Sequence, residues 1–253
     1  MAKLDDRVAI ITGGGTGIGR GIAACFFNEG ARLVLAQRRV DLARAAAREL
    51  DPSGNRVRAM AVDISRNDEA FGLIDFALSS FGQLDVLVNN ASITGPEAIC
   101  PFTSMTADFV TRLIDVNLKG TILCSQAAAR VMKERGRGTI LHVSSVGAFA
   151  AQEGASVYCA TKAAMTGLTQ AMALELVRFG IRVNCIAPGD IDVGKHREDF
   201  MAREISGDYF RKVPAGRQGL PDEIGKAAVF LASDDSSYVV GETLVVDGGF
   251  LAY

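Results

Sequence analysis

The sequence has few cysteines, little net charge and no long apolar run, and these shortages exclude several classes of protein. Its five cysteines are odd in number and widely scattered, which gives neither a disulfide framework nor a metal-binding knuckle. They are Cys25, Cys100, Cys124, Cys159 and Cys185. We therefore expect reduced thiols in a cytoplasmic protein and no metal site.

The formal net charge of −2 excludes nucleic-acid binding through bulk basicity. No apolar stretch reaches the length that spans a bilayer, and the opening MAKLDDRVAII contains no basic-then-apolar leader. We expect a cytoplasmic protein with neither a nucleic-acid nor a membrane partner. The 253 residues suffice for one large domain with a substantial core.

Short β-branched runs alternate along the chain with longer stretches of helical pattern. The runs VAIIT, LDVLVN and TILHVS are largely apolar, which is typical of parallel strands covered on both faces. Predicted strands cover residues 8–12, 32–36, 56–62, 84–88, 138–144, 181–186 and 243–246, and predicted helices cover residues 18–29, 42–50, 68–81, 106–133, 156–178 and 221–231. The alternation predicts one α/β domain over residues 1–253, a doubly wound Rossmann-type parallel sheet of about seven strands flanked by helices.

One segment, residues 191–214, departs from this pattern because it is polar, mixed in charge and placed between a strand and the last helix. Long excursions at the carboxyl ends of parallel strands carry binding loops, so we expect this segment to act as a substrate lid. Its basic trio Lys195, His196 and Arg197 either begins a solvated helix or meets an anionic substrate.

A glycine-rich turn, TGGGTGIG at residues 12–19, follows the first predicted strand and leads into a helix. Glycines at such a turn let the backbone approach a pyrophosphate, and the helix N-terminus adds N–H donors and a favourable dipole. The turn therefore predicts a nucleotide site, although a plain tight connection has the same composition. The residues predicted to line it are Gly13, Thr16, Gly17, Ile18 and Gly19.

No acid ends the second predicted strand, where an NAD-binding unit places Asp or Glu to accept the ribose 2′-hydroxyl. Gln37 stands there instead, followed by Arg38 and Arg39. Guanidinium groups match a phosphate through paired hydrogen bonds, which favours NADP(H). The alternative is a solvated turn in which Gln37 simply bonds a ribose hydroxyl, so NAD(H) stays possible.

The ends of other predicted strands supply further candidate cofactor ligands. Asp63 either caps the helix that follows or touches adenine. The amide of Asn90 either fixes a loop or lines the cofactor. The complete set of these strand-end candidates is Asp63, Ile64, Asn90, Ala91, Pro188, Gly189 and Ile191.

Tyr158 and Lys162 are four residues apart in a predicted helix and therefore share one face. A cation beside a phenol favours the phenolate, so we expect the pKa of Tyr158 to fall from about 10 towards neutrality. Ser145 precedes that helix, where its hydroxyl could hold a carbonyl oxygen while a proton moves. By contrast, His142 lies in the middle of a strand, and we interpret it as a core residue rather than a catalytic base.

Taken together, these residues resemble the short-chain dehydrogenase/reductase family over nearly the whole chain. The ordered set is the turn at residues 12–19, Asp63, NNA at residues 89–91, Asn117 in DVNLKG, Ser145, Tyr158, Lys162, Pro188 and Gly189. The resemblance implies an NADP(H)-dependent enzyme that transfers hydride between nicotinamide and a ketone or secondary alcohol. Length and the closing DEIGKAAVFLAS and VVDGG favour a 3-oxoacyl-ACP reductase; the polar segment 191–214 leaves a sugar or polyol dehydrogenase as the alternative.

The resemblance also implies roles for four residues. Tyr158 would protonate the carbonyl oxygen, or remove the proton in the reverse direction, while Ser145 orients that oxygen. Lys162 would bind the nicotinamide ribose and lower the pKa of Tyr158, and Asn117 would anchor a water in a proton relay. A homotetramer or homodimer with a small-molecule substrate is also implied.

Two positions depart from the family pattern. Ser92 follows Asn-Asn-Ala where glycine is usual, and Val193 replaces a threonine that holds the nicotinamide carboxamide. Backbone groups near Ile191 would have to hold the carboxamide instead. A different class of function, a non-catalytic nucleotide-sensing regulator, would be expected to lose Tyr158 or Lys162, and both are present.

Overall fold

The strands of this computed structural model begin and end close to the predicted positions. Within the residues that the structure describes, 2–194 and 213–252, seven strands form one sheet: β1 (Val8–Thr12), β2 (Arg32–Gln37), β3 (Val57–Ala61), β4 (Val86–Asn89), β5 (Gly138–Val143), β6 (Ile181–Pro188) and β7 (Thr243–Val246). All pair in parallel, in the order β3-β2-β1-β4-β5-β6-β7. The predicted doubly wound sheet is confirmed, and its order reverses between β1 and β4, where such sheets bind ligands.

Helices cover both faces of the sheet. They are α1 (Gly17–Asn28), α2 (Val40–Leu50), α3 (Asn67–Phe81), α4 (Ala107–Ile114), α5 (Gly120–Arg135), α6 (Ser156–Leu176) and α7 (Pro221–Ala232). Buried residues of α1, α2 and α7 form one core cluster, and those of α3, α5 and α6 form the other. The helix predicted over residues 106–133 is continuous from residue 107 to residue 135, but a π-helical turn at Asp115–Lys119 divides it into α4 and α5.

Side chains of β5 alternate between the two clusters, as the pleat of a strand requires. Leu141 and Val143 belong to the cluster under α1 and α7, whereas Ile140 belongs to the cluster under α5 and α6. His142 and Ser144 therefore lie on the Ile140 side, facing α5 and α6. This alternation decides which polar groups of β5 can reach the helix that carries Tyr158.

Of the predicted lid, residues 191–214, the structure describes only 191–194, 213 and 214, so Lys195, His196 and Arg197 lie outside the described residues. Among the described residues, no helix is long and apolar enough to cross a membrane. In the same ranges, no group of three His, Cys, Asp or Glu side chains is arranged to hold a metal ion.

Candidate active site

The predicted site residues converge at one edge of the sheet. Residues 13–19 follow β1, 37–39 lie at the end of β2, 63 and 64 follow β3, 90 and 91 follow β4, 145 lies just beyond β5, and 188–191 lie at the end of β6. Since all strands are parallel, these segments share the carboxyl-terminal edge. Helix α6 adds Tyr158 and Lys162, and the π-helical turn adds Asn117.

The glycine turn is held in place by the residues that end β4. The Asn90 amide donates to the carbonyl oxygens of Thr12 and Gly13, at 2.9 and 3.3 Å. The Thr12 hydroxyl donates to the Val88 carbonyl at 3.2 Å and accepts from the backbone N–H groups of Asn90 and Ala91. Asn90 thus fixes the turn, one of the two roles that its position allowed.

The turn has no room for side chains where it packs, which explains its glycines. A Cβ on Gly19 would collide with the Gly13 carbonyl oxygen and lie 2.5 Å from the Asn90 amide nitrogen. Gly13 and Gly17 have φ values of +67° and +53°, which disfavour other residues. Thr16 makes no side-chain capping bond to α1, and the first turn of α1 contains no acid. These features suit an anionic phosphate group at this N-terminus.

The end of β2 presents donors rather than a carboxylate. The side-chain oxygen of Gln37 accepts from the Gly15 N–H at 2.9 Å, so the side-chain NH2 is the part of the amide left for a ligand. Arg38 and Arg39 are both exposed. The three residues therefore bring hydrogen-bond donors and positive charge to this corner of the crevice.

Asp63 caps the turn that follows β3. Its carboxylate accepts from the Ser65 hydroxyl at 2.7 Å and from the Ser65 N–H at 3.0 Å. Burial alone would raise the pKa of Asp63, but these hydrogen bonds and the charge on Arg38 lower it below the usual value. The next predicted residue, Ile64, is buried with its side chain against Gly120, in the core.

The segment after β6 lies over the glycine turn. The Gly219 N–H donates to the Asp190 carbonyl, and the Asp192 N–H donates to the Gly219 carbonyl, both at 2.9 Å. In this parallel bridge between Ile191 and Gly219, the N–H and C=O of Ile191 point away from Gly219 and make no backbone hydrogen bond to another described residue. Val193 Cγ1 lies 3.3 Å from where a Cβ on Gly17 would stand.

Ser145 and Tyr158 approach each other around Gly147. A Cβ on Gly147 would lie 3.4 Å from both Ser145 Oγ and Tyr158 Cε1. The Ser145 hydroxyl accepts from the Gly147 N–H at 3.0 Å. The neighbouring Ser144 hydroxyl instead donates to the Lys162 carbonyl at 2.8 Å, so only Ser145 is left for a ligand, as the alternation of strand side chains predicts.

The prediction that Lys162 lowers the pKa of Tyr158 is wrong for this structure. The Lys162 ammonium donates to the Val143 carbonyl at 2.9 Å and lies 5.7 Å from the centre of the Tyr158 ring. Burial dominates at the phenol and raises the pKa of Tyr158, with the Ser145 and Thr94 side chains acting in the opposite direction. Burial also lowers the pKa of Lys162 to about 8.

Asn117 ties the loop after β4 to α6. Its fully buried side chain accepts from the Ile93 N–H at 2.7 Å and donates to the Ile93 carbonyl at 3.1 Å and to the Thr161 hydroxyl at 3.3 Å. Sequence reasoning missed Ile93, Thr94 and Thr161 as parts of the site. Thr161 precedes Lys162 directly, which is a usable signal, whereas nothing in the spacing singles out Thr94.

Comparisons with known proteins define the class. Residues 13–251 match the family described as enoyl-(acyl carrier protein) reductase. The chain is 36% identical over 247 residues to the 3-oxoacyl-[acyl-carrier-protein] reductase FabG of Chlamydia muridarum, covering 97% of this chain and 98% of that protein. It is 38% identical over 260 residues to the galactitol 2-dehydrogenase of Agrobacterium fabrum, covering 98% of each.

The fold also matches a crystal structure of a gluconate 5-dehydrogenase from Burkholderia cenocepacia in complex with NADP and tartrate. The TM-score is 0.92 at 35% identity, covering 99% of this chain and 97% of that one. The chain therefore belongs to the short-chain dehydrogenase/reductase family. It is an oxidoreductase that acts on CH–OH groups or their carbonyl products with a nicotinamide cofactor, and these relatives give no support to a non-catalytic regulator.

Proposed function

We propose that this enzyme uses NADP(H) to interconvert a ketone and a secondary alcohol, with Tyr158 as the acid and base, assisted by Ser145, Lys162 and Asn117. The observation that carries the proposal is the approach of Ser145 and Tyr158 around Gly147, one helical turn from the buried Lys162. When bound, the nicotinamide supplies or accepts the hydride.

Tyr158 and Ser145 both offer a hydrogen to a carbonyl oxygen. Because burial raises the pKa of Tyr158, the phenol is protonated at neutral pH, which is the form that a general acid needs for reduction. The Ser145 oxygen accepts from the Gly147 N–H, so its own hydrogen is left to donate to the substrate oxygen. Two hydroxyl donors would then hold the atom on which negative charge develops.

Lys162 is suited to hold a ribose and to feed the proton relay. With a pKa of about 8, its side chain is mainly an ammonium group at neutral pH. One of its three hydrogens binds the Val143 carbonyl at 2.9 Å, which leaves two for ribose hydroxyls or water. Asn117 would hold the relay water beside it, since the Asn117 side chain already contacts Thr161, the residue before Lys162.

The preference for NADP(H) over NAD(H) rests on the end of β2. The Gln37 oxygen is engaged by Gly15, so residues 37–39 themselves present no carboxylate and no free side-chain acceptor to a ribose 2′-hydroxyl. The side-chain NH2 group of Gln37 and the exposed Arg38 and Arg39 instead suit the 2′-phosphate of NADP(H). The fit of the glycine turn to a phosphate does not distinguish the two cofactors.

Arg38→Ala tests this preference, with Arg66→Ala as the matched control. Arg66 is also exposed and near the same edge, but it pairs with Asp68 and Glu69. We expect the parent enzyme to favour NADPH, Arg38→Ala to cut kcat/KM for NADPH by about tenfold while sparing NADH, and Arg66→Ala to change neither. Equal kcat/KM for both cofactors in the parent enzyme would contradict the proposal.

For the substrate we favour a 3-oxoacyl thioester, with a sugar or polyol as the alternative. Ile99 and Phe149 are 49% and 54% exposed, and their loops flank the Ser145–Tyr158 pair, since Ile99 contacts Gly154 and Phe149 follows Ser145 by four residues. Exposed apolar side chains suit an acyl chain better than a polyol. A turnover screen with NADPH should show 3-oxoacyl thioesters reduced faster than ketoses; the reverse ranking would favour the alternative.

We expect a homotetramer or homodimer in the cytoplasm. A groove of about 320 Å³ between α4 and α6 is almost wholly apolar, and Phe102 in it is 77% exposed. A second subunit would cover this surface. Light scattering after gel filtration tests the assembly, and a monomer at micromolar concentration would contradict it.

The five cysteines are free thiols, in keeping with a reducing compartment.

A further inference from the structure

Three consecutive residues of β5 and its end fasten α6 to the sheet. The Val143 carbonyl accepts from the Lys162 ammonium at 2.9 Å, and the Ser144 hydroxyl donates to the Lys162 carbonyl at 2.8 Å. His142 Nδ1 lies 2.9 Å from the Thr169 hydroxyl oxygen. Since Lys162 and Thr169 are seven residues apart, the two attachment points are about 10 Å apart along the helix.

The direction of each hydrogen bond around His142 can be deduced. Thr169 donates its only hydroxyl hydrogen to the Met165 carbonyl at 2.7 Å, so it accepts from His142 Nδ1–H. His142 Nε2 is then the acceptor for the Ser125 hydroxyl, at 3.3 Å. Ser125 in turn accepts from the Asn89 amide at 2.8 Å. Only a neutral imidazole protonated at Nδ1 satisfies this chain.

The surroundings of His142 keep it neutral. The side chain is fully buried, and burial, followed by the nearby charge of Lys162, lowers its pKa to about 4. Its strand neighbours in register are Asn89 and Cys185, and burial raises the pKa of the Cys185 thiol to about 11. His142 is therefore neutral at neutral pH, and its two ring nitrogens join β5 to α5 and α6.

We propose that His142 is a positioning residue, which sets the place of α6 on β5 and thereby the place of Lys162 and Tyr158 relative to Ser145. The proposal rests on the proposed function, because it presupposes the roles of those three residues. The bond between Asn117 and Thr161 and the buried side chains of Met165 and Ala173 also hold α6. The contact between His142 and Thr169, two helical turns beyond Lys162, adds a second directional hydrogen bond to β5, which apolar packing does not supply.

The test compares His142→Leu, which can neither donate nor accept, with His142→Gln, which can do both. Thr139→Val is the matched control, since Thr139 is a buried hydroxyl on the same strand that accepts from Arg182 at 3.3 Å, away from the site. Measured for each variant are Tm, kcat, the cofactor KM and the pH profile of kcat, on whichever carbonyl substrate the parent enzyme reduces.

We expect His142→Leu to lower kcat by about tenfold or more, with the cofactor KM within about threefold. The apparent pKa of its kcat profile should shift by about half a unit or more, because Tyr158 no longer holds its position relative to the Ser145 hydroxyl, which acts on its pKa. His142→Gln should restore most of both values, and Thr139→Val should lower Tm alone.

An unchanged kcat and pH profile in His142→Leu, with only a lower Tm, would overturn the proposal. If His142→Leu does not fold, Thr169→Val decides, since it removes the same contact from the helix side, and parent-like kinetics in that variant would also overturn the proposal. Tyr158→Phe separates this result from the proposed function: an active Tyr158→Phe variant refutes the function, whereas an inactive one beside a parent-like His142→Leu refutes only the positioning role.

Discussion

Acidification should destabilise this protein through one buried histidine. The pKa of His142 falls from 6.5 to about 4 on folding, chiefly because of burial, so the unfolded chain binds the proton more tightly. The resulting stabilisation is fully present above pH 6.5 and is lost as the pH falls towards 4. At pH 5 the free energy of unfolding has fallen by about 2 kcal/mol, since pH 5 lies about 1.5 units below the unfolded pKa of 6.5 and each unit corresponds to about 1.4 kcal/mol.

Urea unfolding at pH 7 and pH 5, at one fixed protomer concentration, measures this loss in the parent protein and in His142→Gln. Carboxylates titrate in both proteins, so their contribution cancels in the comparison. We expect the free energy of unfolding to fall by about 2 kcal/mol more in the parent protein than in the variant. Equal pH dependence in the two proteins would refute the assignment of His142 as a buried neutral imidazole.

Two further predictions concern the cofactor turn and Lys162. Gly19→Ala should weaken cofactor binding by about tenfold or more, because the new Cβ would meet Gly13 and Asn90. Gly72→Ala is the control, since a Cβ on Gly72 would have no atom within 4 Å. Equal cofactor affinities of the two variants, measured by fluorescence titration, would contradict the close packing at Gly19. Lys162→Met should abolish turnover yet raise Tm at pH 7, since the buried ammonium costs about 3 kcal/mol there. This cost disappears as the pH rises from 8 to 10.5, so the gain in Tm should be lost at pH 10.5. Thermal scans that show the same gain in Tm at pH 7 and pH 10.5 would refute the burial of a charged Lys162.

The sequence predicts the sheet well because its signals are local. Apolar runs such as VAIIT and TILHVS mark strands that are buried on both faces, and the parallel order then brings the strand-end residues to one edge. The π-helical turn at Asp115–Lys119 escapes prediction because helical periodicity continues through DVNLKG without a break. Element ends differ by a residue or two, where capping and fraying decide.

The chemistry of the site is less predictable because it depends on burial and on partners that are distant in sequence. The spacing of Tyr158 and Lys162 correctly places both on α6, but the direction of the Tyr158 pKa shift follows from burial, which spacing does not reveal. The partners of His142 lie 17 and 27 residues away. Sequence reasoning identified His142 as a core residue, and only the structure reveals what it joins.

In the proposed reaction, the Tyr158 phenol donates the proton that accompanies hydride transfer. The most direct test is the rate of NADPH oxidation by Tyr158→Phe with a substrate of the parent enzyme, alongside cofactor binding by fluorescence. Tyr238→Phe is the control, since Tyr238 is 100% exposed. We expect Tyr158→Phe to lose about a thousandfold in kcat with cofactor affinity unchanged, and Tyr238→Phe to behave as the parent. A Tyr158→Phe variant that keeps the parent rate would contradict the role of Tyr158 as the proton donor.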